Sequence, residues 1–222
     1  SAYTGAYIPV NLGFRKSVIE WPFWGMKFNL GLGAAAYTQF EISRFDSTTL
    51  RGGLLNVDYK VSGFLFMSKS IHRFRFQIFH ISSHLGDDYM LRNQYFELND
   101  KTVNYEQIDL VYLLQFSHIN PYLGVGYIIS PNTFRQRLMI ELGVQCSKSI
   151  SSNMEFTWGT DIKLYDENDF VPSIHLGAGI TLLQRQERQV TFLVDGYYGA
   201  LPYSTLKYGQ VNWIGVSSRI FL

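Results

Sequence analysis

The chain has 222 residues, a net charge of +1 and only 17% charged residues, which suits one all-β domain and gives no reason to expect a nucleic-acid partner. Aromatic residues reach 16% and mean hydropathy is −0.02, which fits strands that have one apolar and one polar face. A single cysteine excludes an intrachain disulfide framework, and the lack of any long apolar run in the sequence excludes a membrane-spanning helix.

The N-terminal segment, residues 1–24, differs in pattern from the rest of the chain. It alternates poorly between apolar and polar positions, and it contains Pro9, Pro22 and a cluster of aromatic residues at 21–24. Three roles stay open for this segment. It plugs a barrel interior, anchors a periplasmic rim, or contributes an additional strand.

From residue 25 onward, apolar and polar residues alternate with the two-residue period of strands. The predicted strands lie at 27–43, 53–68, 73–84, 104–116, 120–129, 135–147, 153–164, 171–183, 189–198 and 209–222. Many of these exceed the roughly five to six residues usual in soluble sheets, and a tilted strand that crosses a bilayer needs roughly 9–11. Residues 25–222 are therefore predicted to form a single transmembrane antiparallel up-and-down β-barrel of about 10–12 strands, with a soluble lipocalin-type barrel as the alternative.

The residues that alternate with the apolar set carry charges of both signs in similar number. They include Lys27, Glu41, Asp58, Lys60, Arg73, Arg75, Asp109, Arg137, Glu141, Glu155, Asp161, Lys163 and Asp195. In a narrow barrel these groups are expected to pair and fill the lumen, because unpaired buried charge is costly. A wide solute pore is not expected.

The links between the predicted strands differ in length. The links at 69–72, 117–119 and 184–188 are short, whereas those at 44–52, 85–103, 165–170 and 199–208 are longer. Outer-membrane barrels have short periplasmic turns and longer outer loops. We therefore expect the protein in the bacterial outer membrane, with the longest link outside the cell.

The stretch Phe74–Asp88 combines a strand pattern with residues that can carry chemistry. Its apolar positions in 74–78 share one face, and the same period places His80, Ser82 and His84 on that face. A serine hydroxyl needs an adjacent base to act as a nucleophile. We therefore predict Ser82 as a nucleophile and His80 as its base, with His84 in a supporting role.

The next strand can supply an acid that orients the base. If the long link closes a hairpin with residue 84 near 104, Ser82 lies near Glu106, and a shift of two residues puts His80 opposite Glu106 instead. Glu106 is the predicted orienting acid. Asp109 has the opposite parity and is the fallback if a bulge exchanges the two faces.

Three residues after the strand offer further chemistry. Amides near Gly86 could stabilise an oxyanion. Asp87 and Asp88 could bind calcium, which prefers oxygen ligands, although no cofactor is required by the predicted reaction. A transition metal held by the two histidines and one of these carboxylates is the alternative. Alternatively, the two aspartates have no ligand and are simply residues that favour a turn beside a glycine.

The pattern His-x-Ser at His80 and Ser82, with Glu106 on the neighbouring strand, resembles the active sites of outer-membrane phospholipase A and lipid A 3-O-deacylase. That resemblance implies a serine hydrolase site on the outer surface of a barrel. The longer string HISSHLGDDY at 80–89 is similar to the signature of a bacterial outer-membrane barrel family of unknown function, which implies fold and location without an activity.

Two functions follow as hypotheses from these residues. The first is a serine esterase or lipase that deacylates a phospholipid or lipid A in the outer leaflet, so that its partner is membrane lipid or lipopolysaccharide. The second is a non-catalytic barrel that serves as an accessory or scaffold subunit and binds another outer-membrane protein. A narrow channel is a third possibility and requires an open lumen.

Overall fold

The computed structural model describes residues 6–44, 50–93, 103–131, 137–183, 189–200 and 210–221. Its strands are β1 (Ala6–Phe23), β2 (Met26–Arg44), β3 (Leu50–Lys69), β4 (His72–Leu85), β5 (Val103–Leu114), β6 (Ile119–Pro131), β7 (Leu138–Ser151), β8 (Met154–Tyr165), β9 (Ser173–Leu183), β10 (Gln189–Ala200) and β11 (Gln210–Phe221). A short helix, α1 (Asp87–Asn93), follows β4, and a single 3₁₀ turn (Asp166–Asn168) follows β8. Within the described ranges no helix is both long enough and apolar enough to cross a membrane.

The strands form one antiparallel up-and-down sheet in the order β1 to β11, curled into a half-barrel. Each strand pairs with its neighbours in sequence. This confirms the predicted all-β up-and-down architecture, and the count of eleven strands lies inside the predicted range.

Residues Ala6–Phe23 form the edge strand β1, which pairs with β2. The pairing register shifts between Ser17 and Ile19, so the apolar positions change from even to odd residue numbers there. This irregularity explains why the segment alternates poorly when it is considered as a sequence. Pro9 is tolerated because an edge strand leaves one side of its backbone unpaired.

The two faces of the sheet differ sharply in chemistry. Every strand places an exposed apolar residue on the convex face: Leu12, Leu32, Val61, Ile78, Leu110, Val125, Leu142, Phe156, Leu176, Val194 and Val216. The concave face buries polar side chains, which include Gln39, Asp58, Gln77, Asp109, Glu141, Thr181 and Asp195. This distribution is the inverse of that in a water-soluble sandwich, whose apolar residues face inward.

Ion pairs link strands across the concave face. Arg75 on β4 reaches Glu141 on β7 with an N–O distance of 3.6 Å. Lys163 on β8 lies 4.0 Å from Glu141 and 3.8 Å from Asp161. The predicted pairing of interior charges is therefore present among these residues, and the pair between β4 and β7 shows that the sheet is strongly curled.

An apolar cluster also lies on the concave face, near the end of the sheet that carries α1. It consists of Phe79, Val103, Tyr105 and Ile128. The ammonium group of Lys60 lies 3.7 Å from the centre of the Phe79 ring, which is close enough for a cation–π interaction. The concave face at this end is therefore lined by aromatic and aliphatic side chains in addition to charged ones.

Gly179 should not tolerate a side chain. A Cβ atom there would overlap the Phe192 carbonyl oxygen and lie 2.8 Å from Leu193 Cα, so the backbone of β10 would have to move. We expect Gly179→Ala to lower the free energy of unfolding by about 1–3 kcal/mol in urea titrations. Gly63→Ala is the matched control, because its Cβ would meet only Ile78 at 3.8 Å. Equal stability of the two variants would contradict this prediction.

Candidate active site

Strand β4 places the predicted site residues on the convex face. His80, Ser82 and His84 alternate with residues that face inward, and Ser83 between them is fully buried on the concave side. Phe76 and Ile78, which lie earlier on the same face, are exposed apolar residues. The serine and the histidines therefore lie at the end of an apolar strip, on the face that the two-residue period predicts.

Ser82 hydrogen bonds to His84. The distance between Ser82 Oγ and His84 Nε2 is 2.7 Å. If the neutral imidazole of His84 accepts a hydrogen bond from the hydroxyl at Nε2, its ring proton lies on Nδ1. The structure thus pairs the serine with the histidine that the sequence analysis placed in a supporting role, and not with His80.

His80 has a different partner. Its Nδ1 atom lies 2.8 Å from Glu106 Oε1 on β5, and His80 and Glu106 are directly opposite each other in the pairing register. Ser130 on β6 is the cross-strand partner of Glu106 on its other side. Of the two registers that the sequence allowed, the structure has the one that places His80 opposite Glu106, so the acid orients His80.

Asn104 is a site residue that the sequence analysis missed. It is the direct cross-strand partner of Ser82 on β5, so the two side chains leave the convex face next to each other. Its Oδ1 atom is buried and has no hydrogen-bond partner among the described residues. Asn104 could have been identified from the register that places His80 opposite Glu106, because the same register pairs Ser82 with Asn104.

Tyr59 on β3 completes the surroundings of the pair. Tyr59 lies opposite Ser82 in the register, and its ring centre is 6.1 Å from that of His84, with the two planes tilted by 57°. This distance lies within the range of aromatic ring pairs. The serine is therefore flanked by a ring on one side and a carboxamide on the other.

Asp109 does not belong to this face. It is buried on the concave side, where its carboxylate accepts a hydrogen bond of 2.5 Å from Gln107. A register shift does occur between Glu106 and Gln107, but it concerns the pairing with β6 and leaves the faces of β5 unchanged. The fallback role of Asp109 therefore has no geometric basis.

The amide of Gly86 is already engaged. Its N–H donates to the Leu55 carbonyl oxygen at 2.9 Å, and its own carbonyl accepts from Met90 N at 3.0 Å. A Cβ atom at this position would overlap the Leu54 carbonyl oxygen. Gly86 thus fastens α1 to β3, and its own N–H is not available to an oxyanion.

Asp87 and Asp88 form the first turn of α1, and both are exposed. Asp88 Oδ2 accepts a hydrogen bond of 3.2 Å from Leu54 N, which adds a second tie between α1 and β3. In the ranges that the structure describes, no three His, Cys, Asp or Glu residues are grouped as metal ligands. Calcium binding by this pair therefore stays a prediction of the sequence.

Comparison with known proteins places the chain in a family. Residues 18–220 match the family model described as Protein of unknown function (DUF1207). The chain belongs to this family. This agrees with the predicted membership of a family of unknown function. No curated protein and no solved structure matches the chain.

The description of the DUF1207 family names no activity. The resemblance to outer-membrane phospholipase A and lipid A 3-O-deacylase rests on His80, Ser82 and Glu106 alone. What the geometry adds is a serine within hydrogen-bond distance of His84 and a carboxamide at Asn104 beside it. These are the groups that acyl transfer requires: a nucleophile, a base and a hydrogen-bond donor.

Proposed function

We propose that this protein is an integral outer-membrane β-barrel that acts as a serine esterase on a phospholipid or on lipid A in the outer leaflet. The observation that carries the proposal is the 2.7 Å hydrogen bond between Ser82 Oγ and His84 Nε2 on the convex face. A nucleophile and base on the outside of a barrel reach only substrates that approach from the surrounding lipid. The proposed substrate is therefore a membrane acyl ester.

The distribution of side chains supports membrane insertion. Val61, Ile214 and Val216 are 56%, 81% and 86% exposed on the convex face. If the sheet were surrounded by water, these apolar side chains would be in contact with it. Exposed apolar surface of this extent on a monomer marks contact with lipid or with another protein. An apolar outer face with a polar inner face is the pattern of membrane barrels.

The proposed reaction uses Ser82 and His84 in two steps. Ser82 Oγ attacks the carbonyl carbon of the ester while its proton moves to His84 Nε2, and the proton then passes to the departing alkoxide oxygen as the C–O bond breaks. In the second step, His84 Nε2 deprotonates a water that attacks the acyl-serine. The fatty acid leaves and Ser82 Oγ recovers its proton.

Asn104 is the proposed donor to the oxyanion. Its carboxamide stands directly across from Ser82, and an Nδ2–H group there can donate to the negative oxygen of the tetrahedral intermediate. Its Oδ1 atom is buried, so part of the carboxamide is shielded from water, and a hydrogen bond is stronger in such an environment. His80 and Glu106 lie two residues along the same face and contribute to substrate binding.

Labelling with an alkyl fluorophosphonate tests the proposal directly. This reagent esterifies an activated serine with loss of fluoride, and we expect the modification to map to the peptide that contains Ser82. Ser83→Ala is the matched control and should be labelled, whereas Ser82→Ala and His84→Ala should not. An unlabelled wild-type protein, or labelling that survives Ser82→Ala, would contradict the proposal.

Assays of lipid hydrolysis with calcium and with EDTA separately test the predicted role of Asp87 and Asp88.

A scaffold role is the second candidate, and the edge strand favours it. β1 is exposed along almost its whole length, and in the described part of the chain it pairs with β2 alone. An unpaired strand edge is a template for pairing with another chain. This role predicts no fluorophosphonate labelling, together with cross-linking of a Leu12→Cys variant to another envelope protein.

A further inference from the structure

A cavity of about 410 Å³ lies on the concave face between β6 and β11, away from the convex face that carries Ser82. Its centre follows one row of the sheet, in which the register aligns Asn120, Gln145, Gly159, Gly177, Asp195 and Gly215 on consecutive strands. Along this row, Asn120 and Gln145 lie on one side of the glycines at 159 and 177, and Asp195 lies on the other side. The cavity therefore has a floor of bare backbone and walls that can form hydrogen bonds.

The glycines create the space. Gly159 and Gly177 are neighbours on β8 and β9, so no side chain rises from the floor at that level. The Asp195 carboxylate leans over Gly177, and a Cβ atom on Gly177 would lie 2.8 Å from Asp195 Oδ1. The glycine thus permits the position of the carboxylate at the cavity wall.

Asp195 is the most deeply buried charged residue of the wall, with 3% of its surface exposed. Its Oδ2 accepts a hydrogen bond from Ser217, whereas Oδ1 faces His175 Nε2 at 3.2 Å and Arg219 at 3.7 Å. Asp195 Oδ1 accepts no hydrogen bond from the described residues, and neither does Asn120 Oδ1 at the opposite end of the row. Asp195 Oδ1 is therefore held between two basic side chains, and both of these oxygens are buried in the cavity wall.

Hydroxyl groups extend this polar lining. Thr157, Thr181 and Thr191 form a chain across β8, β9 and β10, with 3.0 Å between successive oxygens. All three line the cavity. Hydroxyl oxygens both donate and accept, so this chain can adjust to either kind of group on a ligand.

We propose that this cavity binds a neutral mono- or disaccharide. The carboxylates of Glu155, Asp161 and Asp195 line it together with His175 and Arg219, so an anionic ligand is disfavoured. A ligand rich in hydroxyl groups supplies donors to the part-exposed carboxylates of Glu155 and Asp161, and acceptors to Arg219 and to the threonine hydroxyls. The volume lies in the range of small-molecule sites. Because the cavity and Ser82 lie on opposite faces of the sheet, sugar binding would not depend on the proposed esterase.

Saturation-transfer difference NMR provides the test, with the protein in a detergent that carries no sugar. Glucose, maltose and trehalose are the probes, each at about 10 mM, a concentration that populates a site of millimolar affinity. We expect at least one of the three sugars to receive saturation from the wild-type protein. No transfer to any of the three sugars would overturn the proposal.

Two variants decide whether a signal comes from this cavity. Gly177→Ala displaces the Asp195 carboxylate, and Asn120→Leu replaces a polar side chain of the opposite wall with an apolar one, so each should weaken binding about tenfold or more. Gly196→Ala is the matched control, because its Cβ would lie 3.9 Å from the nearest atom, the Trp213 carbonyl oxygen, on the other face of β10. Folded protein is verified by circular dichroism for each variant. Saturation transfer unchanged in both Gly177→Ala and Asn120→Leu would also overturn the proposal.

Discussion

Alanine in place of Ser82 should reduce the release of fatty acid from outer-membrane lipid by at least about 10³-fold, whereas Ser83→Ala should release fatty acid at nearly the wild-type rate. The two serines are adjacent, but Ser82 shares the convex face with His84 and Ser83 is fully buried on the other side, near Asn56. Only the first can reach a lipid ester. Mass spectrometry of lipids, normalised to folded protein, measures the effect.

The histidines sharpen this expectation. We expect His84→Ala to be about as damaging as Ser82→Ala, because residues that act as a unit lose their function together. His80→Ala should cost about tenfold or less, since its imidazole contacts Glu106 rather than the serine. A larger loss for His80→Ala than for His84→Ala would return the role of base to His80. If both variants hydrolysed lipid at the wild-type rate, neither histidine would be part of the reaction.

The face of each residue in β4 could be predicted from the sequence because side-chain direction in a strand depends only on the local two-residue period. The partner of each residue could not. The hairpin between β4 and β5 is closed by a long link, and registers that differ by two residues keep every side chain on its face. His80 opposite Glu106 and Ser82 opposite Asn104 belong to one of these registers, and tertiary structure selects it.

The hydrogen bond between Ser82 and His84 lies beyond sequence analysis for another reason. Both His80 and His84 are two residues from the serine, so spacing treats them as equal. The choice between them depends on rotamers, and these depend on cross-strand neighbours. Glu106 draws His80 toward β5, whereas Tyr59 lies beside His84 on the β3 side. The difference is therefore set by residues distant in sequence.

The N-terminal segment shows how one irregularity can hide a strand. Residues Ile8 to Phe14 alternate regularly, and so do residues Ile19 to Phe23, but the shift between Ser17 and Ile19 puts the two halves out of phase. A single uninterrupted two-residue period therefore does not fit the whole segment, and the sequence pattern does not predict a strand there. The pairing with β2 restores it, because hydrogen bonds continue on both sides of the irregularity.

A charge on the convex face should have a large effect on stability. Val61 on β3 is 56% exposed on the convex face, where its cross-strand partners are Ala34 and His80, and its neighbour Ser62 points to the concave face. If the convex face contacts acyl chains, Val61→Arg should lower the free energy of unfolding from lipid vesicles by about 1–3 kcal/mol, because the cost of an arginine falls from about 2–4 kcal/mol at the bilayer midplane to about 0–1 kcal/mol near the interface. Urea titration of protein folded into vesicles measures this cost.

Ser62→Arg is the control for that experiment, because it adds the same side chain one residue away on the face that already carries Lys60. In a membrane barrel the two variants should differ clearly, with Val61→Arg the less stable. In a sheet surrounded by water, an arginine at the more exposed position costs no more than about 0.5 kcal/mol, so the order would disappear or reverse. The same comparison therefore bears on the esterase, since a serine and histidine on the convex face meet lipid only if Val61 does.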